Sequence, residues 1–363
     1  MEKNAKLKMQ LETTSRQLLI AFLSIIIALG LSMIMIAAMG VSPARAMSSL
    51  ISGALGSKNA IAETVVKMSP LIFTGLSYAL ASRCGLTNIG MEGQLYIGAA
   101  CATVAGVYIT GLPAVIHIAV CVVAAFLGGG IWGGIAGVLK VKFGASEIIT
   151  TVMLNTIATN LIAYLVTGPM CEPPGLNAQS YPLADTARFP KIVPGTRAHL
   201  GIILALIFVL LFYIFLWRSK KGYEVRVSGL NNRAAVYSGV NTNRNVIMIM
   251  CLAGGIAGLA GANEIMGLQG RLIANVSPGY GFDGIAVALI GANSPAGIFL
   301  GAMLFGIMRS GGNAMQMMTG VPTAIIKVMQ AIVIIVIVAS NVLVDYDFKR
   351  IFKGRKKTGE KEA

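Results

Sequence analysis

The chain has 363 residues, of which 56% are apolar and only 12% charged, and its mean hydropathy is +0.77. That balance excludes an ordinary water-soluble globular fold and predicts an all-α polytopic membrane protein. The net charge of +15 would suit a nucleic-acid binder. However, the basic residues gather in residues 1–17, in 218–244 and after Phe348, where short cytoplasmic segments of membrane proteins carry Lys and Arg. No nucleic acid is therefore expected as a partner.

In chain order, Lys3, Lys6, Lys8 and Arg16 precede an apolar run at 18–40 and then Ala44-Arg45-Ala46, the outline of a secretory signal. The run is longer than a signal core of roughly 7–15 residues, so it reads as a retained first helix. At about 20 apolar residues per crossing, the predicted spans are 18–40, 61–83, 88–110, 113–139, 146–168, 199–217, 245–266, 282–294, 295–310 and 322–344. That makes about ten transmembrane helices. An even number puts the basic arm 1–17 and the tail 345–363 on one side, the cytoplasm, together with Lys140, Lys142 and 218–244. The elements 282–294 and 295–310, split at Asn293-Ser294-Pro295, are short and broken. Residues 41–60 read as a small loop. The external segment 169–198, which holds six of the twelve prolines, reads as an ordered lid or a docking surface.

Forty-three glycines and 19 methionines suit closely approaching membrane helices. Five isolated cysteines, at 84, 101, 121, 171 and 251, form no CxxC pair, so no disulfide, metal site or cofactor is expected. The chain has two histidines, His117 and His199, and lacks HExxH, G-x-S-x-G and a phosphate-binding Gly-x4-Gly-Lys-Ser/Thr loop. It is not expected to be an enzyme or to hydrolyse ATP, and no residue is assigned as catalytic. His117, alone in an apolar run, is expected to bond a backbone carbonyl.

Polar groups at membrane depth are costly and therefore informative. Glu63 and Lys67, at i and i+4 before Ser69-Pro70, predict a local ion pair. In Gly85-Leu86-Thr87-Asn88-Ile89-Gly90-Met91-Glu92-Gly93-Gln94, Gly85 can end one helix, Thr87 or Asn88 can cap the next, and Glu92 sits by that helix's positive end. This is either a broken helix that meets a solute or a plain capped turn. Glu147, Thr151, Asn155 and Thr159 form a polar stripe that faces a cavity or a neighbouring helix.

Residues 218–244 carry six Lys/Arg against one acid, Glu224. Within them, Gly229 to Gly239 reads as one short helix with Leu230, Ala234 and Tyr237 at i, i+4 and i+7, a docking helix or a simple basic loop. From Ala253 to Glu264 the sequence is rich in small residues, with Gly254/Gly258 and Ala257/Gly261 as small-xxx-small pairs and Asn263 and Glu264 at its end. Gly279-Tyr280-Gly281-Phe282-Asp283-Gly284 follows as a gate, a re-entrant tip or a tight turn.

Several of these segments, in this order, resemble one family: Asn88 to Gln94, Asn231-Asn232-Arg233-Ala234-Ala235 with Gly239, Ala253 to Glu264, Gly279 to Ala288 and Gly297 to Gly306. The chain is similar to the permeases of bacterial ABC importers for simple sugars, nucleosides and branched-chain amino acids. It looks nearest to the larger permease of general nucleoside systems. The resemblance implies a multi-pass subunit of the bacterial plasma membrane that works with a second related permease, an ABC ATPase and an external substrate-binding lipoprotein. The docking helix then becomes the coupling helix, with Leu230, Asn231, Arg233, Ala234, Ala235, Tyr237 and Gly239 as contacts. Ala234-Ala235-x-x-x-Gly239 resembles the EAA loop, although Arg233 replaces the usual acid and the Leu-Pro that follows in some branches is missing.

A nucleoside is neutral, so its path needs hydrogen bonds and stacking. Asn88, Glu92, Gln94, Asn155 and Asn263 are the expected polar groups, with Tyr96, Tyr280 and Phe282 against the base. Two alternatives stand beside this reading. One changes the cargo to a simple sugar such as ribose or a branched-chain amino acid, and the other is a stand-alone ion-coupled transporter using Glu92, Glu264 and Asp283.

Overall fold

The computed structural model describes residues 26–175 and 177–345. The basic arm 1–17, the start of the first predicted span and the tail beyond 345 lie outside the described residues. The described part of the chain divides into two compact units, one within residues 1–48 and 315–363 and the other within 49–314.

In the first unit, α1 (Ile26–Ala38) buries Ala28, Ser32 and Ile36 at four-residue spacing, and Ser32 Oγ donates to the Ala28 carbonyl. Near the chain's other end, α13 (Thr323–Asp345) buries Ile326, Met329, Gln330, Val333 and Ile337 and turns Val328 and Ile335 outward. Each helix has one buried stripe and one apolar face suited to lipid. α2 (Pro43–Leu55) occupies what the sequence suggested was a small loop. Its buried Ala46, Leu50 and Ala54 lie at helical spacing, but Ser, Gly and Arg among them keep its average hydropathy low.

The second unit holds the bundle that positions the polar groups. Its helices are α3 (Lys58–Arg83), α4 (Met91–Tyr108), α5 (Ala114–Phe143), α6 (Glu147–Thr167), α7 (Gly201–Arg218), α8 (Lys220–Leu230), α9 (Asn232–Tyr237), α10 (Thr242–Glu264), α11 (Tyr280–Ile290) and most of α12 (Pro295–Thr319). A single π-turn, Ile265–Gln269, extends α10. Five helices among the described residues are long and apolar enough to cross a bilayer: α3, α5, α6, α7 and α10 with its π-turn. They match the predicted spans 61–83, 113–139, 146–168, 199–217 and 245–266. Shorter apolar helices lie at Ile26–Ala38, Tyr280–Ile290 and Thr323–Ala339. Of the two elements predicted to be short, only α11 is. α12 runs for 25 residues, about 37 Å, because Arg309, Ser310 and Gly311 are absorbed inside the bundle instead of ending the helix.

Burial separates centre from rim. The apolar windows of α3 and α10 are 83% and 72% buried, against 33%, 22% and 22% for α5, α6 and α7. Val115, Ile131, Ile149, Tyr164 and Leu210 on those three rim helices point outward, as lipid contact demands. α3 stays helical through Pro70, whose ring nitrogen cannot bond the Val66 carbonyl; Ser69 Oγ donates to that carbonyl at 3.1 Å instead. α4, α5 and α10 cross at glycine. A Cβ on Gly129 would stand 2.8 Å from Gly258 Cα, and one on Gly261 would stand 2.7 Å from the Ala99 nitrogen. The small residues of α10 therefore serve two neighbours: Gly254 and Gly258 meet α5, and Gly261 meets α4.

The two ends of this bundle differ. One carries Arg83, Lys140, Lys142 and the α8–α9 segment. The other is covered by a cap formed by residues 168–175 and 177–200. Glu172 pairs with Arg271 at 2.7 Å, Ala184 and Phe189 bond the Gly106 and Met266 carbonyls, and Thr186 Oγ1 lies 2.8 Å from His117 Nδ1. His117 Nε2 meets the Ala105 carbonyl at 3.2 Å, the backbone partner expected of it. Glu63 bonds Arg197 of the cap at 3.2 Å, and Lys67 donates to the Arg309 carbonyl at 3.4 Å. The predicted local Glu63–Lys67 pair is thus replaced by two longer-range contacts. His199, two residues ahead of the α7 span, stacks on Phe189, and burial pushes its imidazole down to about 4. It holds the cap as a neutral ring.

Candidate functional site

The turn from α3 to α4 is built by backbone rules before any side chain acts. Gly85 takes a left-handed conformation at φ 76°, with Gly85 N–H bonded to the Ser82 carbonyl and Leu86 N–H to the Ala81 carbonyl. This pair of bonds closes the helix end, as the sequence suggested for Gly85. Gly90 is the N-cap of α4, not Thr87 or Asn88. Asn88 acts one step earlier: its Oδ1 accepts from Gly90 N–H at 2.9 Å and its Nδ2 donates to Gln94 Oε1 at 3.1 Å. From α6, Asn155 Oδ1 accepts from Gly93 N–H at 2.8 Å and its Nδ2 donates to the Ile89 carbonyl at 2.9 Å. Thr151 Oγ1 accepts from Ile89 N–H at 3.3 Å. The α6 polar stripe therefore meets a neighbouring element at Thr151 and Asn155, and Glu147 at its head pairs with Lys140. Asn88, Gln94 and Asn155 form one buried group around the first turn of α4.

A second group forms where α4 meets the start of α11. Glu92 is in the first turn of α4, as predicted, yet its carboxylate serves another helix. Glu92 Oε2 accepts from Gly281 N–H at 2.6 Å, placing a negative charge at the positive end of α11. That approach needs glycine, because a Cβ at Gly281 would stand 2.6 Å from Glu92 Cα. Gly279, at φ 97°, swings the chain into α11, and Ser277 Oγ accepts from Tyr280 N–H at 3.0 Å. Arg309 on α12 closes the group. It pairs with Asp283 at 2.7 Å, donates to the Pro278 carbonyl at 3.1 Å and lies over the Tyr280 ring at 4.5 Å. Gln269 of the π-turn reaches the Glu264 carboxylate at 3.5 Å and the Val276 carbonyl at 3.0 Å. Tyr96 is buried, 4% exposed. Three acids, two aromatic rings and an arginine thus surround the tip of an eleven-residue helix.

At the Lys/Arg-rich end the predicted single helix from Gly229 to Gly239 is two helices. Asn231 is extended at φ −155°, ends α8 by bonding the Val227 carbonyl, and starts α9 by accepting from Ala234 N–H at 3.1 Å. Leu230 consequently does not stack on Ala234 and Tyr237. Gly239, at φ 79°, stops α9, with Val240 N–H bonded to the Ala235 carbonyl. Leu230 and Tyr237 are 88% and 92% exposed, while Ala235 is buried. Ala234 and Arg233 are exposed too, and Arg233 has no ion-pair partner among the described residues. The segment presents two large apolar side chains to its surroundings on a basic background.

The family of the branched-chain amino acid transport system, permease component, matches residues 60–338 of the chain. The chain belongs to this permease family. The guanosine ABC transporter permease protein NupP of Bacillus subtilis is 35% identical over 327 residues, which cover 89% of this chain and 93% of the relative. The glucose ABC transporter permease protein TsgB13 of Haloferax volcanii is 34% identical, covering 88% and 86%. The nucleoside ABC transporter permease protein NupB of Lactococcus lactis is 31% identical, covering 91% and 93%. The permease match contains both the buried groups and the exposed segment.

Within the permease, the eight residues singled out for a path fall in different places. Asn88, Gln94 and Asn155 share one group, while Glu92, Tyr96 and Tyr280 share the next. Asn263 is apart from both, donating to Ser69 Oγ at 2.7 Å, and Phe282 is 51% exposed. Sequence reasoning missed Arg309, Ser277 and Gln269. For Arg309 a signal existed, an arginine inside an apolar stretch, but it fell where the predicted span was cut short.

Proposed function

We propose that this permease is a membrane-spanning subunit of an ATP-driven importer of nucleosides in the bacterial plasma membrane. The observation that carries the reading is the similarity, over about nine-tenths of the chain, to permeases named for guanosine and for nucleosides. Residues 18–344 form the transmembrane domain, crossing ten times with both termini in the cytoplasm. ATP is hydrolysed by a partner ATPase that docks on α9 and its flanks, at Leu230, Asn231, Arg233, Ala234, Ala235, Tyr237 and Gly239. The near-complete exposure of Leu230 and Tyr237 supports this, because large apolar side chains left in water are typical anchors for another protein. A second related permease and an external binding lipoprotein complete the importer, the lipoprotein delivering nucleoside to the capped end.

The path runs past the two buried groups, with Asn88, Glu92, Gln94, Asn155 and Asn263 offering hydrogen bonds and Tyr96, Tyr280 and Phe282 offering rings. Hydrogen bonding and stacking suit a neutral ribose and base better than charge does. Proteoliposomes holding the assembled importer should take up labelled guanosine only with internal ATP. Uptake driven by a proton or sodium gradient without ATPase would sink the reading in favour of the ion-coupled alternative. Alanine at Glu92, Gln94 and Asn155 should reduce uptake at normal protein levels, and full uptake would remove them from the path.

A sugar cargo is the second reading, and the 34% identity to a glucose permease favours it. Competition decides between them: excess glucose or ribose leaves guanosine uptake unchanged if nucleosides are the cargo.

A further inference from the structure

At the Lys/Arg-rich end one side chain ties together two helices and a turn. Arg83 is the last residue of α3. Its Nη2 donates to the Asn293 carbonyl at 3.0 Å and the Ala292 carbonyl at 3.2 Å, and its Nε donates to the Asn293 carbonyl at 3.3 Å. The guanidinium also lies over the Trp217 ring of α7, 5.6 Å from the centroid. Asn293 Nδ2 returns a bond to Ser82 Oγ at 3.1 Å. The α11–α12 turn is therefore fastened to the end of α3.

That turn is held in an unusual backbone. Ala292 and Asn293 have φ 48° and 51°, a region that residues with a Cβ rarely enter and that persists only where the surroundings impose it. The carbonyls of these two residues are the ones Arg83 grips.

On its other side the end of α3 meets α8 backbone to backbone. A Cβ on Gly229 would stand 2.9 Å from the Arg83 carbonyl carbon and 3.0 Å from the Gly85 nitrogen. Gly229 directly precedes Leu230, where the exposed segment begins. Beside the contact lies a cleft of about 390 Å³, bordered by Cys84, Lys140, Ser228, Asn232, Asn243 and Val246.

We propose that Arg83 is a positioning residue that carries movement of the α8–α9 segment into α11. α8 rocks about its backbone contact with Arg83, the cleft gives it room, and Arg83 passes the displacement to Ala292 and Asn293. Two consecutive left-handed residues act as the hinge, since leaving that conformation relieves their strain. α11 is only eleven residues, about 16 Å, so its far end moves as one body with the turn. That far end is where Gly281 and Asp283 meet Glu92 and Arg309. This linkage rests on the proposed docking of an ATPase at α9.

The test measures ATP hydrolysis and guanosine uptake in the same proteoliposomes holding the complete importer. If no ATPase co-purifies with the wild-type chain, the docking reading fails, and the linkage with it, before any variant is made. With docking intact, Arg83→Gln should lower uptake at least about tenfold, as expected for losing charge-assisted bonds. ATPase retention and hydrolysis should stay within about twofold, so the ATP spent per guanosine rises at least about fivefold. Arg83→Lys, which keeps the charge and a donor, should restore part of the ratio. Ser82→Ala removes one bond of the same junction and should raise the ratio about twofold; it decides the matter if Arg83→Gln does not accumulate. An unchanged ratio in these variants overturns the proposal. So does a parallel loss of uptake, hydrolysis and ATPase retention, which would make Arg83 a structural residue only.

Discussion

Arg309 and Lys221 each place a nitrogen 2.7 Å from a carboxylate, Asp283 and Glu224 respectively. The first pair is 15% and 24% exposed and sits at the tip of α11 among Glu92, Tyr280 and Pro278. The second is an i, i+3 pair on α8, where the lysine is 52% exposed. Equal distances conceal unequal consequences. Removing one member of a buried pair leaves a charge without water or partner, whereas water replaces the missing member of an exposed one. The buried group is therefore sensitive to the loss of either member, and the exposed pair is not.

The sharpest way to break this contrast is Arg309→Leu. It should cost about 3 kcal/mol of stability and abolish uptake, read as a lower melting temperature in detergent and no ATP-dependent flux. An unaltered melting temperature would show that the tip is wetter than its burial indicates. Next in size is Tyr237→Asp, which should leave the melting temperature alone but weaken ATPase retention by about 2 kcal/mol, roughly thirtyfold. A fall in stability instead would mean that Tyr237 supports the fold. Asn155→Ala should come third, losing about 1–2 kcal/mol because Gly93 N–H and the Ile89 carbonyl lose their partner; thermal unfolding reads this too. Smallest is Lys221→Ala, for which neither melting temperature nor uptake should change measurably.

What the sequence disclosed follows the same division. α5, α7 and α10 were legible because a long apolar run needs no knowledge of neighbours, and α6 because its Thr and Asn residues punctuate such a run without ending it. α2 and the second half of α12 were not, since Ser, Gly and Arg lower the local average while tertiary contacts bury them. Gly311, for instance, lies directly against the Leu50 carbonyl. The break at Asn231 left a readable trace, an asparagine three residues before Ala234 as an N-cap, but the outer glycines suggested a single helix. The bond from Gly281 to Glu92 joins residues 189 apart, and no local pattern reports it. For the buried groups, sequence supplied the residue types and placed Asn88 at the turn, though as the N-cap that Gly90 turns out to be. The partners came from the fold.

The length of α11 has a consequence for how the chain is made. Its eleven residues reach about 16 Å, half the hydrocarbon thickness of about 30 Å, and they carry Asp283, whose cationic partner Arg309 emerges from the ribosome 26 residues later. A nascent chain released soon after Ile290 should leave residues 280–290 open to protease, and one extended well past Arg309 should protect them. Such a result would mark this half-helix as the first arm of a hairpin whose insertion waits on the synthesis of the second.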